Sequence, residues 1–389
     1  MGVQMGYCLK FFKTYLAIAI TTQNVKTINV RLFGNAPIDI FKFQNKKKGA
    51  QAMKDVVLVT GATGFVGSHI VKKCLNAGHS VRAFVLQDDP GMENLKKDGV
   101  EIVIGDLQDE SSIRKSFDNI DIVFHTAALV SDWAPKSLFH EVTVQGTRRM
   151  CHIASLNKLK RFVYISTNDV FGIHNESIII DETCPYRYWK EPYPDAKIEA
   201  EKIAWEYYHN KNLPLTMVYP CWIFGPGDRT FLPLLADAIY HGEMIFWRRN
   251  ASVWPTFIDN LTDLLMTIAY HPNAVGNGYI VHDGESISFQ DFCTRIAIHL
   301  KLTPPRIHIP YSLAYLTAMA MEAIWKALQK KERPLLTTYA VKNLGARMQY
   351  SILKAEHDLE WTPKIKFDQG FELAMEWLKT LNIDNIKHK

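Results

Sequence analysis

The chain has 389 residues, 47% of them hydrophobic, and carries 45 Lys and Arg against 40 Asp and Glu. That length can bury a large core, as one large domain with a smaller lobe. The formal net charge of +5 misdescribes the body of the chain: residues 1–54 hold nine basic residues and one acid, Asp39, so the remainder is slightly acidic and nucleic acid is not an expected partner.

Residues 1–53 read as a basic extension outside the fold. Lys10 and Lys13 before Tyr15-Leu16-Ala17-Ile18-Ala19-Ile20 have the look of a signal sequence, but the apolar run is short. Transit peptides are rich in arginine, and Arg31 is the one arginine here. The favoured expectation is a start of translation at Met53 and a tail without a fold.

Next come Val56-Val57-Leu58-Val59, a buried strand, and Thr60-Gly61-Ala62-Thr63-Gly64-Phe65-Val66-Gly67, which leads into apolar residues at helical spacing. A strand, a tight glycine turn and a helix N-terminus together let the backbone approach a pyrophosphate, with the helix N–H groups facing the anion. The expected ligand is a dinucleotide. Two residues separate the first two glycines, and this form resembles the extended branch of the short-chain dehydrogenase/reductase superfamily.

Further strands are expected at 81–86, 100–106, 120–125, 161–167 and 215–220, with helical patterns between them, notably 137–157 and 194–209. Alternating strands and helices argue for an α/β fold: a Rossmann-type doubly wound parallel sheet covered on both faces. The core is assigned to 54–220. From 221 to 389 the elements shorten and turns such as Phe224-Gly225-Pro226-Gly227-Asp228 appear, which reads as a substrate-binding lobe interleaved with the core. The apolar run 311–325 holds Glu322 and falls short of a membrane span. A core helix is the default; a peripheral membrane contact or the wall of an apolar site are the alternatives. Six scattered cysteines show no metal-ligand spacing, so they read as reduced thiols of a cytoplasmic protein, with no metal site.

The superfamily resemblance implies a tyrosine and a lysine four residues on along a helix. Tyr186/Lys190, Tyr193/Lys197 and Tyr207/Lys211 all fit. Pro192 and Pro194 keep the first pair from sharing a helix, and the third pair lies where the helix ends. Tyr193 directly precedes a proline, which suits a first helical turn, and Lys197 follows one turn later. A phenol beside an ammonium can exchange a proton with a substrate hydroxyl near neutrality, so Tyr193 and Lys197 are the expected catalytic pair. Thr167, in Ser166-Thr167-Asn168-Asp169-Val170-Phe171-Gly172, is the expected third member, at the carboxyl edge of the sheet.

The resemblance, which covers about 54–379, also implies the cofactor shell: Gly61, Thr63, Gly64, Phe65, Val66 and Gly67 in the turn, Asp106 and Leu107 after the third strand, Ala127 and Ala128 after the fourth, Lys197 on the ribose, and Pro220 and Ile223 beside the nicotinamide. Two departures stand out. Relatives have Asn-Val-x-Gly-Thr where this chain has Thr143-Val144-Gln145-Gly146-Thr147, and Val85-Leu86-Gln87 supplies neither the acid nor the base that separates NAD from NADP, Asp88 and Asp89 lying just beyond.

The C-terminal third, through Tyr350-Ser351-Ile352-Leu353-Lys354 and on to Trp361-Thr362-Pro363, is similar to 3β-hydroxysteroid dehydrogenase-like proteins. That implies an NAD- or NADP-dependent oxidoreductase acting on an apolar, sterol-like secondary alcohol or ketone, a homodimer by superfamily habit, and membrane association in addition to the cytoplasm. A nucleotide-sugar epimerase or dehydratase is the alternative. Asn168 in place of the first dehydratase acid argues against elimination. A non-catalytic cofactor-binding subunit is the second alternative.

Overall fold

The computed structural model describes residues 54–174 and 178–381. The expectations for 1–53 lie outside the described residues. Seven strands form one sheet: β1 (Val56–Thr60), β2 (Ser80–Val85), β3 (Glu101–Ile104), β4 (Ile122–His125), β5 (Arg161–Ile165), β6 (Leu215–Pro220) and β7 (Asn277–Val281). Their order is β7-β6-β5-β4-β1-β2-β3, and every pairing is parallel. Both faces are covered, so β4, β5 and β6 are buried throughout and read as unbroken apolar runs rather than alternating ones.

The order reverses between β1 and β4, the place where ligands bind at the carboxyl ends of strands in open α/β sheets. Helix α1 (Phe65–Asn76) packs with the helix Ile258–Tyr270, while α2 (Pro192–Lys211) packs with the helix Gly146–Ser155. Six strands match the sequence pattern. β7 comes from the stretch read as lobe, where Tyr279, Ile280 and Val281 are fully buried beside β6. Two strands stop earlier than expected, β3 at Ile104 and β5 at Ile165. After β5 the Thr167 hydroxyl caps a 3-10 turn, Asn168–Phe171, by accepting the Asp169 N–H at 3.3 Å.

The expected helix 137–157 is one helical rod with a π-helical middle, His140–Gln145, between Lys136–Phe139 and Gly146–Ser155. Thr143 lies in that wide turn, and its hydroxyl accepts the Leu129 N–H at 3.2 Å. The hydroxyl that replaces the family's asparagine is thus spent on the loop after β4.

One default is overturned. Helix α3 (Tyr311–Ala327) is not a core helix: only Ala314 and Ala318 are fully buried, against Val341 of α4 (Thr338–Leu344), whereas Leu313, Leu316, Met319 and Ile324 are about half exposed or more. Two small residues suffice to seat it, which leaves its large apolar side chains outside. No helix among the described residues is long and apolar enough to cross a membrane.

Candidate active site

The glycine turn has the shape a pyrophosphate needs. Gly61 has φ +65°, a left-handed conformation costly to side-chain-bearing residues. A Cβ on Gly67 would lie 2.1 Å from the Gly61 carbonyl oxygen, so only glycine lets α1 start this close to the turn. No side chain caps the first turn of α1, whose N-cap is Gly64. Its N–H groups and dipole are therefore available to an anion. Thr63, Phe65 and Val66 are partly exposed along this rim.

The loop after β4 is knitted to that turn. The Thr60 hydroxyl accepts the Ala127 N–H at 3.2 Å and pairs with His125 Nδ1 at 2.8 Å, and Thr126 donates to the Thr60 carbonyl at 2.7 Å. Burial holds His125 neutral, with its pKa lowered to about 3. Ala127 therefore lies against Gly61, with the partly exposed Ala128 next to it in the chain, while Asp106 follows β3 with its carboxylate accepting the Gln108 N–H at 2.9 Å. Leu107 is buried behind it, Pro220 closes β6 and Ile223 is partly exposed beyond. The residues assigned to the cofactor thus lie at the carboxyl ends of the strands, and the close approach of the α1 backbone to the turn at Gly67, with the uncapped helix start, fits a dinucleotide.

Beyond β2, Asp89 Oδ2 accepts from the Thr63 hydroxyl at 2.6 Å and its Oδ1 accepts the Gly91 N–H at 2.8 Å. The loop 86–91 thereby brings a carboxylate, and no base, against the glycine turn.

Tyr193 and Lys197 lie on α2, which opens at Pro192, as the proline before the tyrosine's helix turn requires. Tyr186 and Lys190 precede the helix, and Asn212, in left-handed conformation, ends it just after Lys211. The neighbouring Thr167 hydroxyl favours the ionised form of the Tyr193 phenol. Burial and the neighbouring Asp169 carboxylate act against it and push the phenol's pKa up. The Lys197 ammonium is turned to the strand: Nζ donates to the Ile165 carbonyl at 2.8 Å and lies 4.8 Å over the Tyr164 ring. Burial brings its pKa down to about 8, with Glu201 opposing.

Several residues here carried no sequence-level assignment. The Tyr339 hydroxyl on α4 donates to Asp169 Oδ2 at 2.6 Å and accepts from Asn343 at 3.0 Å, and its ring meets that of Tyr193 edge-on, 6.2 Å between centroids. Trp189 and Phe139 complete an aromatic wall. Tyr339 lies far along the chain from Tyr193, with no local pattern to mark it. Glu201 had a signal: it interrupts the buried stripe Ala196, Lys197, Ala200, Ala204 of α2, and an acid on such a stripe needs partners.

Comparison with known proteins turns this geometry into a classification. Residues 57–281 match the NAD dependent epimerase/dehydratase family. The chain belongs to this family. It is 27% identical over 342 residues to a 3-beta-hydroxysteroid dehydrogenase of Mycolicibacterium neoaurum, covering 84% of this chain and 92% of that one. It is 26% identical over 324 residues to a 2-alkyl-3-oxoalkanoate reductase of Stenotrophomonas maltophilia, covering 81% and 96%. A UDP-glucuronic acid 4-epimerase from Bacillus cereus, solved with UDP-glucuronic acid and NAD, superposes with a TM-score of 0.68 over 84% of this chain and 100% of its own at 18% identity, which shows the shared fold. The nicotinamide-dependent oxidoreductase type expected from the sequence stands, as does its doubly wound sheet.

Proposed function

We propose that this protein is an NAD-dependent dehydrogenase that moves a hydride between the nicotinamide and a secondary alcohol or ketone on an apolar, sterol-like skeleton. The observation that carries the reading is the placement of Tyr193 and Lys197 one turn apart on α2 against the carboxyl end of β5, where Lys197 Nζ donates to the Ile165 carbonyl at 2.8 Å and Thr167 follows two residues on. NAD supplies the hydride acceptor. Tyr193 holds the hydroxyl proton of the substrate, Thr167 orients the reacting oxygen, and Lys197 keeps positive charge at the strand end. Tyr193 and Tyr339, partly exposed and backed by the buried rings of Phe139 and Trp189, offer aromatic surface, which suits a steroid better than a sugar. The relatives named as a 3-beta-hydroxysteroid dehydrogenase and a 2-alkyl-3-oxoalkanoate reductase support the choice of an alcohol or ketone.

The loop after β2 supports NAD over NADP. Asp89 places negative charge against Thr63, and the stretch 85–91 holds two acids and no lysine or arginine to meet a 2′-phosphate. The exposed apolar face of α3 is read as a peripheral membrane contact beside the site.

The test is absorbance at the reduced-nicotinamide band when the full chain is offered NAD or NADP with 3β-hydroxysteroids and with UDP-sugars. Steroid-dependent reduction of NAD in preference to NADP is expected. Tyr193→Phe should lower kcat by about 10²–10⁴-fold while NAD still binds. An inverted UDP-sugar without net reduction would replace the reading with an epimerase, and wild-type turnover by Tyr193→Phe would remove the tyrosine from the chemistry. Sedimentation of the same samples reads the expected homodimer.

A further inference from the structure

At the β7 edge of the sheet, with three strands between it and β1, a cleft of about 370 Å³ opens between α2, the loop 182–186 and residues 276–278. Gly276 and Gly278 bring backbone and no side chain to it, so it stays open. The rings of Tyr186 and Trp205, both partly exposed, line it. Tyr219 of β6 and Phe171, their ring centroids 4.9 Å apart, line it from the buried side.

Glu182 is the one acid that lines the cleft, and its carboxylate accepts the Ile280 N–H at 2.6 Å, which ties it to the edge strand. It forms no ion pair among the described residues. Lys354 also lines the cleft, but its ammonium donates to Asp358 and lies 5.0 Å over the Tyr279 ring, so its charge is answered outside the cleft. Burial lifts the Glu182 carboxyl to about 7 against the pull of Lys354, so the negative charge is under-compensated where it stands.

A carboxylate among aromatic rings selects its ligand by charge and hydration. Ring faces attract a cation through their quadrupole, and the attraction is greatest for a cation that sheds its water easily, as a quaternary ammonium does. A neutral apolar ligand would shut water away from Glu182 and leave its charge unanswered, which is costly. A metal ion would need several donor side chains, and no group of three or more His, Cys, Asp or Glu that could hold one occurs among the described residues. We propose that this cleft is a second ligand site, for a small organic cation of the quaternary-ammonium class, with Glu182 as its counter-ion and Tyr186 and Trp205 as its ring faces. Tyr186 also donates to Glu201 of α2 at 2.9 Å, so an occupant rests on a residue that braces the helix bearing Tyr193 and Lys197.

The site does not depend on the catalytic roles proposed above, and its test needs no turnover. Cys184 supplies the readout: it lines the cleft and is partly exposed, while the other described cysteines are buried. In the full chain, choline should slow alkylation of Cys184 by iodoacetamide in a saturable way, followed on the Cys184 peptide by mass spectrometry. The neutral isostere of choline, with carbon in place of the ammonium nitrogen, should not. Glu182→Gln keeps an acceptor for the Ile280 N–H and should raise the choline Kd about tenfold or more. Trp205→Leu, which removes one ring face, should raise it by about 2- to 30-fold. No protection by choline, equal protection by the neutral isostere, or a choline Kd that Glu182→Gln leaves unchanged overturns the site. Should Glu182→Gln fail to fold, the comparison of choline with its neutral isostere on the unaltered chain decides.

Discussion

Two buried carboxylates flank the helix that carries Tyr193 and Lys197, and they are housed differently. Asp169 sits at the start of the 3-10 turn after β5, on the substrate side, and is bonded by one phenol, Tyr339, delivered from a distant helix. Glu201 sits within α2, on the far side, with Ser166 and Tyr186 bonded to its two oxygens. Burial raises both, Asp169 to about 6 and Glu201 to about 7. Their neighbours decide what that means. Glu201 faces an ammonium and supports the charge on Lys197, whereas Asp169 faces a phenol and opposes the charge on Tyr193. One carboxylate stabilises the charge on Lys197, and the other holds the Tyr193 phenol in its protonated form. Opposite effects from like groups are an arrangement that pushes acid and base apart.

The most disruptive change lies outside the two carboxylates, at the glycine turn. Gly67→Ala would set a Cβ 2.1 Å from the Gly61 carbonyl oxygen, and either α1 or the turn must move. A loss of about 3 kcal/mol or more in stability is expected, together with loss of NAD binding, read by denaturant unfolding and by fluorescence titration with NADH. Retained cofactor affinity would mean that the turn does not carry the pyrophosphate.

The difference between the carboxylates is sharpened by Asp169→Asn. The charge opposing the Tyr193 phenolate disappears, so the phenol's pKa falls from its raised value. Since oxidation needs the ionised phenol, the acid limb of the kcat profile should move to lower pH. Glu201→Gln acts instead on Lys197, whose charged form loses its support, so that the alkaline limb moves to lower pH while the acid limb stays. An acid limb unmoved by Asp169→Asn, or an alkaline limb unmoved by Glu201→Gln, would refute the separate roles.

Tyr339→Phe isolates the link between the C-terminal helices and the site. It leaves the Asp169 carboxylate without its 2.6 Å donor, so the carboxyl rises further above about 6 and is neutral over a wider pH range. Below the ordinary carboxyl pKa both folded and unfolded chains are protonated, and the raised folded pKa destabilises the protein as pH rises through it. A loss of about 1–3 kcal/mol is expected at pH 8, shrinking toward pH 5, by thermal unfolding at both values.

How far the sequence carries divides along the same line. The glycine turn, six of the seven strands and the Tyr193–Lys197 pair are local patterns: apolar runs, glycine spacing and a proline that starts a helix. Thr167 came from the resemblance of the segment ending at Gly172 to the extended branch, which sets it apart from Ser166. The seventh strand was hidden because 277–281 lies among short elements and is recognisable only by its pairing with β6. Tyr339 could not be read, since its partner Asp169 is 170 residues away, and no spacing rule connects them. Helix α3 was misjudged for a physical reason: mean apolarity measures how much surface a helix could bury, not whether anything covers it.

That uncovered face gives the smallest expected effect on the fold and a large one on location. Glu322, the acid within α3, is turned inward, where its carboxylate accepts the Thr338 N–H at 2.7 Å and the Thr338 hydroxyl at 2.9 Å. The outer face is left to Leu313, Leu316, Met319 and Ile324, with Lys326, Lys330 and Lys331 at one end and Arg248, stacked 4.6 Å over Tyr311, at the other. An apolar stripe rimmed by cations matches the interface of an anionic bilayer. Leu316→Glu, at a side chain 62% exposed, should change stability by no more than about 0.5 kcal/mol. It should nevertheless abolish co-sedimentation of the full chain with phosphatidylserine vesicles, while turnover of a water-dispersed steroid is unaffected. The binding should weaken with salt, because the cationic rim is screened. Binding that survives the substitution would place the contact elsewhere on the chain, and a change of oligomeric state on the substitution would show that a second copy, not lipid, covers α3.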